Sequence, residues 1–327
     1  MIKLKKYTLI LIQIIFVISS LTGCSPLVNE DQPDDDIPLF PDDTSEAQAK
    51  EYMLYFQLDG ENYLAPEIRT FTIPESKNIE ETLIRELING PKGNSNSIIA
   101  NINENTRIIS VKGKEDVLFV SLSKDFLSPP SGLGDDIEDE QLKDDLFLNN
   151  QKMALYSIVN TVTELGRYSY VQFFIDYDNN GTGTRPTSKA MGLVGEGENQ
   201  LIEPVFRNTD VIFSPVSSIS TIMNAISEKN WNKVLKYTSI AENPDDNIEE
   251  LVRQFELIDL SLLEYNLIDY TVNLNGKSSV VVLSYTFAAT DGTANSKENI
   301  SVKMLLEDGV WKCSITSLNQ ILLREYA

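Results

Sequence analysis

Apolar residues recur along this chain in two rhythms, and each change of rhythm marks an element. "YMLYFQL" (52–58) is dense in strand formers and predicts a strand. Asp59-Gly60 follows as a turn dipeptide, and "NYLAPEIRTFTI" (62–73) predicts a second strand that Pro66 bends or holds at a sheet edge. In "KNIEETLIRELINGP" (77–91), Ile79, Leu83, Leu87 and Ile88 fall on one face of a short helix that Gly90 and Pro91 stop. "TRIISVKGKEDVLFVSLS" (106–123) predicts two strands around a Gly-containing turn. Val117, Phe119 and Ser121 face one way in the second strand, while Leu118, Val120 and Leu122 face the other, so it reads as central. A loop over 128–140 leads into a helix within 138–165, where Leu155, Ile158, Val159, Val162 and Leu165 keep helical spacing up to Gly166. "YSYVQFFID" (168–176) predicts another strand, and "LIEPVF" (201–206) a last strand or an extended tail.

From Pro215 the order changes. "VSSISTIMNAISEKNWNKVLKYT" and "DNIEELVRQFELI" predict helices. Strands follow at about 262–274, 277–289, 297–307 and 310–317, with Asn275-Gly276 and Asp308-Gly309 as hairpin turns. A two-residue turn at Asp308-Gly309 pairs Leu306 with Trp311, Met304 with Cys313 and Val302 with Ile315, all on one apolar face. The expected class is α+β. A mixed sheet with helices packed on it is followed by a second unit of helices plus an antiparallel meander.

The first residues are of another kind. Lys3, Lys5 and Lys6 precede the apolar "YTLILIQIIFVISSL", and "LTGC" ends at Cys24. That order predicts a secretory signal peptide over 1–23, and Leu-Thr-Gly-Cys reads as a bacterial lipobox whose Cys24 is acylated and becomes the new N-terminus. Two acyl chains anchor stably where one is marginal. Residues 24–51 follow as an acidic tether: 25–50 carries eight acids, one lysine and four prolines, too polar to build a core. The expected division is therefore 1–23, 24–51, 52–213 and 214–327.

Composition narrows the chemistry. The chain has 27 basic and 49 acidic residues, a formal charge of −22, which disfavours nucleic acid as a partner. Histidine is absent, which removes Ser-His-Asp and Cys-His catalysis and any His-ligated metal. With Cys24 acylated, Cys313 has no partner for an intrachain disulfide and reads as a small core residue. Trp231 and Trp311 read as core.

Three local patterns remain. Ser121 to Lys124 spells S-x-x-K, but it ends a strand, and neither S-D-N nor K-T-G occurs. Asp176, Asp178 and Asn180 echo the start of a calcium loop, yet Thr187 stands where the chelating Glu belongs. Glu67 and Arg69 share a strand face, either as an acid beside a charge clamp or as an ion pair fixing a bent strand.

Taken together, Tyr63, Leu64, Pro66, Glu67 and Arg69, followed by Leu87, Gly90 and Pro91, resemble the opening of the GerMN-domain family. "VLFVSLSKDF" and "YSIVNTVTELGRYSYVQFFID" continue the resemblance in order, over about 52–178. The long acidic loop at 128–145 departs from the family pattern, as does the Asx-rich turn after Ile175. The region from 214 is similar in pattern to NTF2-like or cystatin-like domains. The resemblance implies a compact α+β domain, no cofactor and no catalytic motif. It also implies a lipoprotein serving sporulation, spore envelope or cortex assembly, or germination. Its expected place is the extracytoplasmic face of the membrane, held by diacylglyceryl-Cys24 with palmitate as acyl group. Its expected partners are envelope or sporulation proteins, or peptidoglycan. Two rival readings stay open: a peptidoglycan-directed hydrolase or its regulator, and a small-ligand binder using the C-terminal unit. The second fails if Trp231, Trp311 and Phe287 fill its interior.

Overall fold

The computed structural model describes residues 49–74, 77–93, 97–241, 248–257, 260–289 and 293–322. The signal peptide, Cys24 and most of the tether lie outside these residues. Among them are six α-helices and three sheets, an α+β architecture as expected.

The first region holds two sheets where a single one was expected. Strand β1 (Lys50–Leu58) sits between β2 (Leu64–Phe71) and the short β3 (Ile98–Ile99), antiparallel to both. The second sheet is β4 (Ile108–Lys114), β5 (Val117–Ser123), β6 (Tyr170–Asp176) and β7 (Val205–Phe206), with β5 and β6 parallel. The central placing of β5 follows from its two apolar faces. Gly113 lies inside β4, not in the turn, which is Glu115-Asp116. It is small because a Cβ there would fall onto the Tyr168 ring. Asp59-Gly60 opens a five-residue connection instead of a two-residue turn.

Helix α1 (Ile79–Ile88) starts at Asn78, whose side-chain oxygen accepts the Glu81 N–H at 3.2 Å. It buries Leu83, Ile84 and Leu87, each contributing roughly 1.5–3 kcal/mol. Helix α2 (Glu140–Thr163) reaches both sheets, touching β1 on one side and β6 and β7 on the other. The apolar stripe from Leu155 to Val162 is fully buried, and polar side chains between its members are buried too.

Ser214 caps α3 (Pro215–Ser227) in a reciprocal box with Ser217. Helices α4 (Trp231–Lys236) and α5 (Ile248–Glu256) follow. The third sheet runs β8 (Thr238–Ser239), β12 (Val310–Ser314), β11 (Ala294–Glu307), β10 (Ser278–Ala289) and β9 (Leu260–Val272). The expected pairs Leu306–Trp311 and Met304–Cys313 form. The pair Val302–Ile315 does not, because β12 stops at Ser314 and helix α6 (Ile315–Leu322) begins there. Ser314 ends the strand by turning its hydroxyl to the Ser317 N–H at 3.2 Å, a cap signal that the register reading passed over. Trp231, Trp311 and Phe287 are all buried in the core, as is Cys313, whose thiol burial pushes up to about 12. This filling takes away the support for a ligand cone in the C-terminal unit.

One continuous core runs from Leu54 to Leu322. Leu64 ties β2 to the segment that enters α3, accepting from Phe213 N–H (2.8 Å) and donating to Val211 C=O (2.7 Å). The Phe213 ring packs between Tyr63 and Tyr237, and Lys233 pairs with Glu61 at 2.8 Å. The β11–β12 turn presses on β2: a Cβ on Gly309 would stand 2.1 Å from the Pro66 carbonyl oxygen. Gly309→Ala should therefore cost about 2–4 kcal/mol, from positive φ plus the clash. Gly276→Ala has positive φ and open space, and should cost about 1 kcal/mol. Urea denaturation of both variants checks this, and equal losses would mean that the turn does not bear on Pro66.

Candidate functional site

Strand β2 is an edge strand, and Pro66 occupies it opposite Tyr55 without breaking the sheet. Glu67 and Arg69 project from the same face, as two residues of one strand must. That face looks onto the C-terminal end of α1. Arg69 is 8% exposed, and each of its nitrogens has a partner. Nε donates to Glu67, Nη1 to the Glu86 carboxylate at 2.9 Å, and Nη2 to the Gly90 carbonyl at 2.7 Å. Its guanidinium lies 5.1 Å from the centre of the Phe56 ring.

The carboxylates are held as well. Glu67 accepts the backbone N–H groups of Lys92 (3.1 Å) and Gly93 (3.3 Å). Lys92 Nζ pairs with Glu86 at 2.6 Å. The result is a closed brace in which a cation sits at the negative end of α1 and binds two acids that flank it. Partial burial raises the Glu86 carboxyl, but Lys92 and Arg69 outweigh it and hold that group below the usual carboxylate range.

Gly90 and Pro91 border the same brace, and Tyr63 lies apart from it. Tyr63 packs on Phe213 at the join between regions. Gly90 takes a left-handed backbone (φ +82°) and presents its carbonyl to Arg69, and Pro91 leads on to the Lys92 and Gly93 amides. Glu86, Lys92 and Phe56 were not singled out from the sequence. Glu86 carried a weak signal, an acid beside the apolar stripe near the helix end.

The other candidates are scattered. Asp176 is buried, and its carboxylate accepts the Asn180 and Gly181 N–H groups at 3.1 and 2.9 Å, closing the loop that follows β6, while Asn180 makes an Asx turn to the Thr182 N–H at 2.8 Å. Asp178 and Asn180 are exposed, and no group of three metal-binding side chains forms among the described residues. Ser121 is buried and Lys124 exposed. A second brace, invisible to spacing, joins distant residues. Tyr55 donates to Glu164 (2.9 Å), and Arg207 donates to the Tyr55 oxygen (2.8 Å) and the Asn160 carbonyl (3.0 Å). Burial pushes the Tyr55 phenol up to about 12, so it stays a donor.

Residues 53–178 match the model of the Germane family, described as sporulation and spore germination. That is the stretch whose residues carried the resemblance. Among solved structures the chain is similar to the tandem GerMN domains of the sporulation protein GerM from Bacillus subtilis. The identity is 20% and the TM-score 0.34, over 56% of this chain and 51% of that one. The first GerMN domain of the same protein is 18% identical with a TM-score of 0.27, over 41% and 86%. A putative lipoprotein from Clostridium perfringens is 20% identical with a TM-score of 0.24, over 39% and 75%. The chain thus spans about half the length of the tandem-domain structure. No curated protein sequence matches it.

Removing Arg69 strands two partly buried acids, so Arg69→Ala should cost about 3–5 kcal/mol in urea denaturation. A loss under about 1 kcal/mol would show that the brace is a solvated surface pair. The depressed Glu86 carboxyl stabilises the fold above its ordinary value of 4.5, and this is lost as pH falls through the lowered value. Glu86→Gln should therefore flatten the acid limb of the stability–pH profile below about pH 4.5. An unchanged limb would contradict the pairing.

Proposed function

Because its residues 53–178 carry the Germane domain of sporulation and spore germination, we propose that this chain is a membrane-anchored, non-enzymatic component of the spore-forming envelope. It acts as a scaffold or binding part in spore envelope or cortex assembly, or in germination. Acylated Cys24 holds it at the outer face of the membrane, and the acidic 24–51 segment gives the folded part reach. Envelope or sporulation proteins, or peptidoglycan, are its partners.

The family match is the observation that carries this reading. Two features support it. The lipobox at 21–24 stands after a complete n-region and apolar core. In the charged pair that first suggested catalysis, each Arg69 nitrogen is already engaged, Nε by Glu67 of the same strand and the two Nη atoms by Glu86 and Gly90 at the end of α1. The absence of histidine points the same way.

The test joins anchoring to phenotype. Metabolic labelling with a palmitate analogue should mark the wild-type chain and leave Cys24→Ala unmarked. Deletion of the gene should lower the yield or the germination of heat-resistant spores, and Cys24→Ala should fail to restore it. Label retained by Cys24→Ala, or normal sporulation and germination in the deletion strain, would overturn the reading.

A further inference from the structure

Half of the exposed large apolar side chains among the described residues fall in one stretch, 257–280, which holds strand β9 and the turn into β10. Strand β9 ends the third sheet, with β10 on one side and no strand on the other. Such an edge presents unpaired backbone groups, and proteins blunt it with Lys, Pro or a bulge. Over 260–276 the chain has no Lys, Arg or Pro. Two bulges leave Leu263 and Ile268 without partners in β10, and both side chains are exposed. The run from Asp269 to Val272 lies beyond the bulges and pairs regularly with β10.

The turn fixes which way the backbone groups of this run point. Asn273 donates to the Ser278 carbonyl at 2.8 Å. By the alternation of an antiparallel pair, Thr271 and Asp269 bond to β10, while Tyr270 and Val272 aim their N–H and C=O groups at the free edge. The Tyr270 N–H agrees: it bonds to the Asp269 carboxylate at 2.7 Å. A side chain thus occupies the place of a neighbouring strand.

The two faces of the run differ. Tyr270 and Val272 pair with the buried Val281 and Ser279, so they lie on the core face, yet both are exposed. Helix α3 meets β9 further back, where the Tyr265 hydroxyl donates to Asn224 at 3.0 Å. Asp269 and Thr271 lie on the outer face. Lys303 shares that face but stands on β11, beyond Val280, two strand spacings or about 10 Å from β9.

This pattern selects an occupant. A second copy of β9 would bring acid toward acid, since Glu264 and Asp269 are its only charges. A bilayer cannot satisfy the outward N–H and C=O groups. Anionic polymers are repelled by the acids. An extended peptide satisfies the backbone groups. One that alternates basic with apolar residues also sets cations beside Asp269 and apolar side chains beside Tyr270 and Val272.

We propose that the free edge of β9 at 269–272 receives, by strand addition, an extended segment of a partner protein in which Lys or Arg alternates with apolar residues. Its cation pairs with Asp269, and the Tyr270 N–H passes from that carboxylate to the incoming strand. The inference deepens the reading of the chain as a binding part and rests on it. The two fail separately, because the binding measured below depends neither on Cys24 nor on spores.

The purified full chain, in detergent, is titrated by fluorescence anisotropy with two labelled peptides. One is Lys-Val-Lys-Val-Lys-Val, and the other is Lys-Lys-Lys-Val-Val-Val, of equal charge without the alternation. Saturable binding of the alternating peptide is expected, with the block peptide at least about tenfold weaker. Asp269→Asn should weaken the alternating peptide about two- to fivefold. Val272→Pro removes an outward N–H and should abolish saturable binding while leaving the melting temperature unchanged, since proline is tolerated at an edge. The peptide comparison needs no variant, so it decides even where Val272→Pro does not fold. No saturation by the alternating peptide, equal affinity for the block peptide, or unaltered binding by folded Val272→Pro would overturn the proposal. So would a wild-type dimer in sedimentation velocity that Val272→Pro dissolves, which would assign the edge to a second copy.

Discussion

The guanidinium of Arg69 is the fixed point of the first region. It is buried, it carries a charge that cannot be removed near neutral pH, and so the chain around it must supply acceptors. Glu67 comes from its own strand, while Glu86 and the Gly90 carbonyl come from the end of α1. Meeting that demand sets where β2 lies against α1 and where α1 stops. It also aims the amides of Lys92 and Gly93 back at Glu67. Three residues before Arg69 on the same strand, the Pro66 carbonyl lies against the Gly309 turn, and Leu64 bonds to the segment entering α3. One short edge strand thus organises both the end of a helix and the join to the second region.

This changes what the charged pair means. Opposite charges two residues apart on a strand suggest chemistry while their surroundings are unknown. Surrounded by a helix terminus, they are saturated. Each Arg69 nitrogen is engaged in holding β2 against the end of α1.

Much of the architecture was legible because periodicity is a local property. The strands β1, β5 and β6, helix α1 and the second half of α2 follow from their apolar spacing, and the Met304–Cys313 register from a two-residue turn. Other features depended on contacts that spacing does not encode. Helix α6 was hidden because Ile315 continues the strand alternation, and only the Ser314 hydroxyl shows that the chain turns there. The division into two sheets depends on Leu58 pairing forward to Ile98, across a helix. The Arg69 pair was visible, but its acceptors were not, since one of them is a backbone carbonyl.

The most direct test of the account is a double-mutant cycle between Arg69 and Glu86, using Arg69→Met and Glu86→Gln and urea denaturation of the single and double variants. A closed, buried brace predicts a coupling of about 1–3 kcal/mol, with the double variant much less destabilised than the two single losses together. Additive losses, within about 0.5 kcal/mol, would contradict it: strand β2 and helix α1 would then be held by their apolar contacts alone.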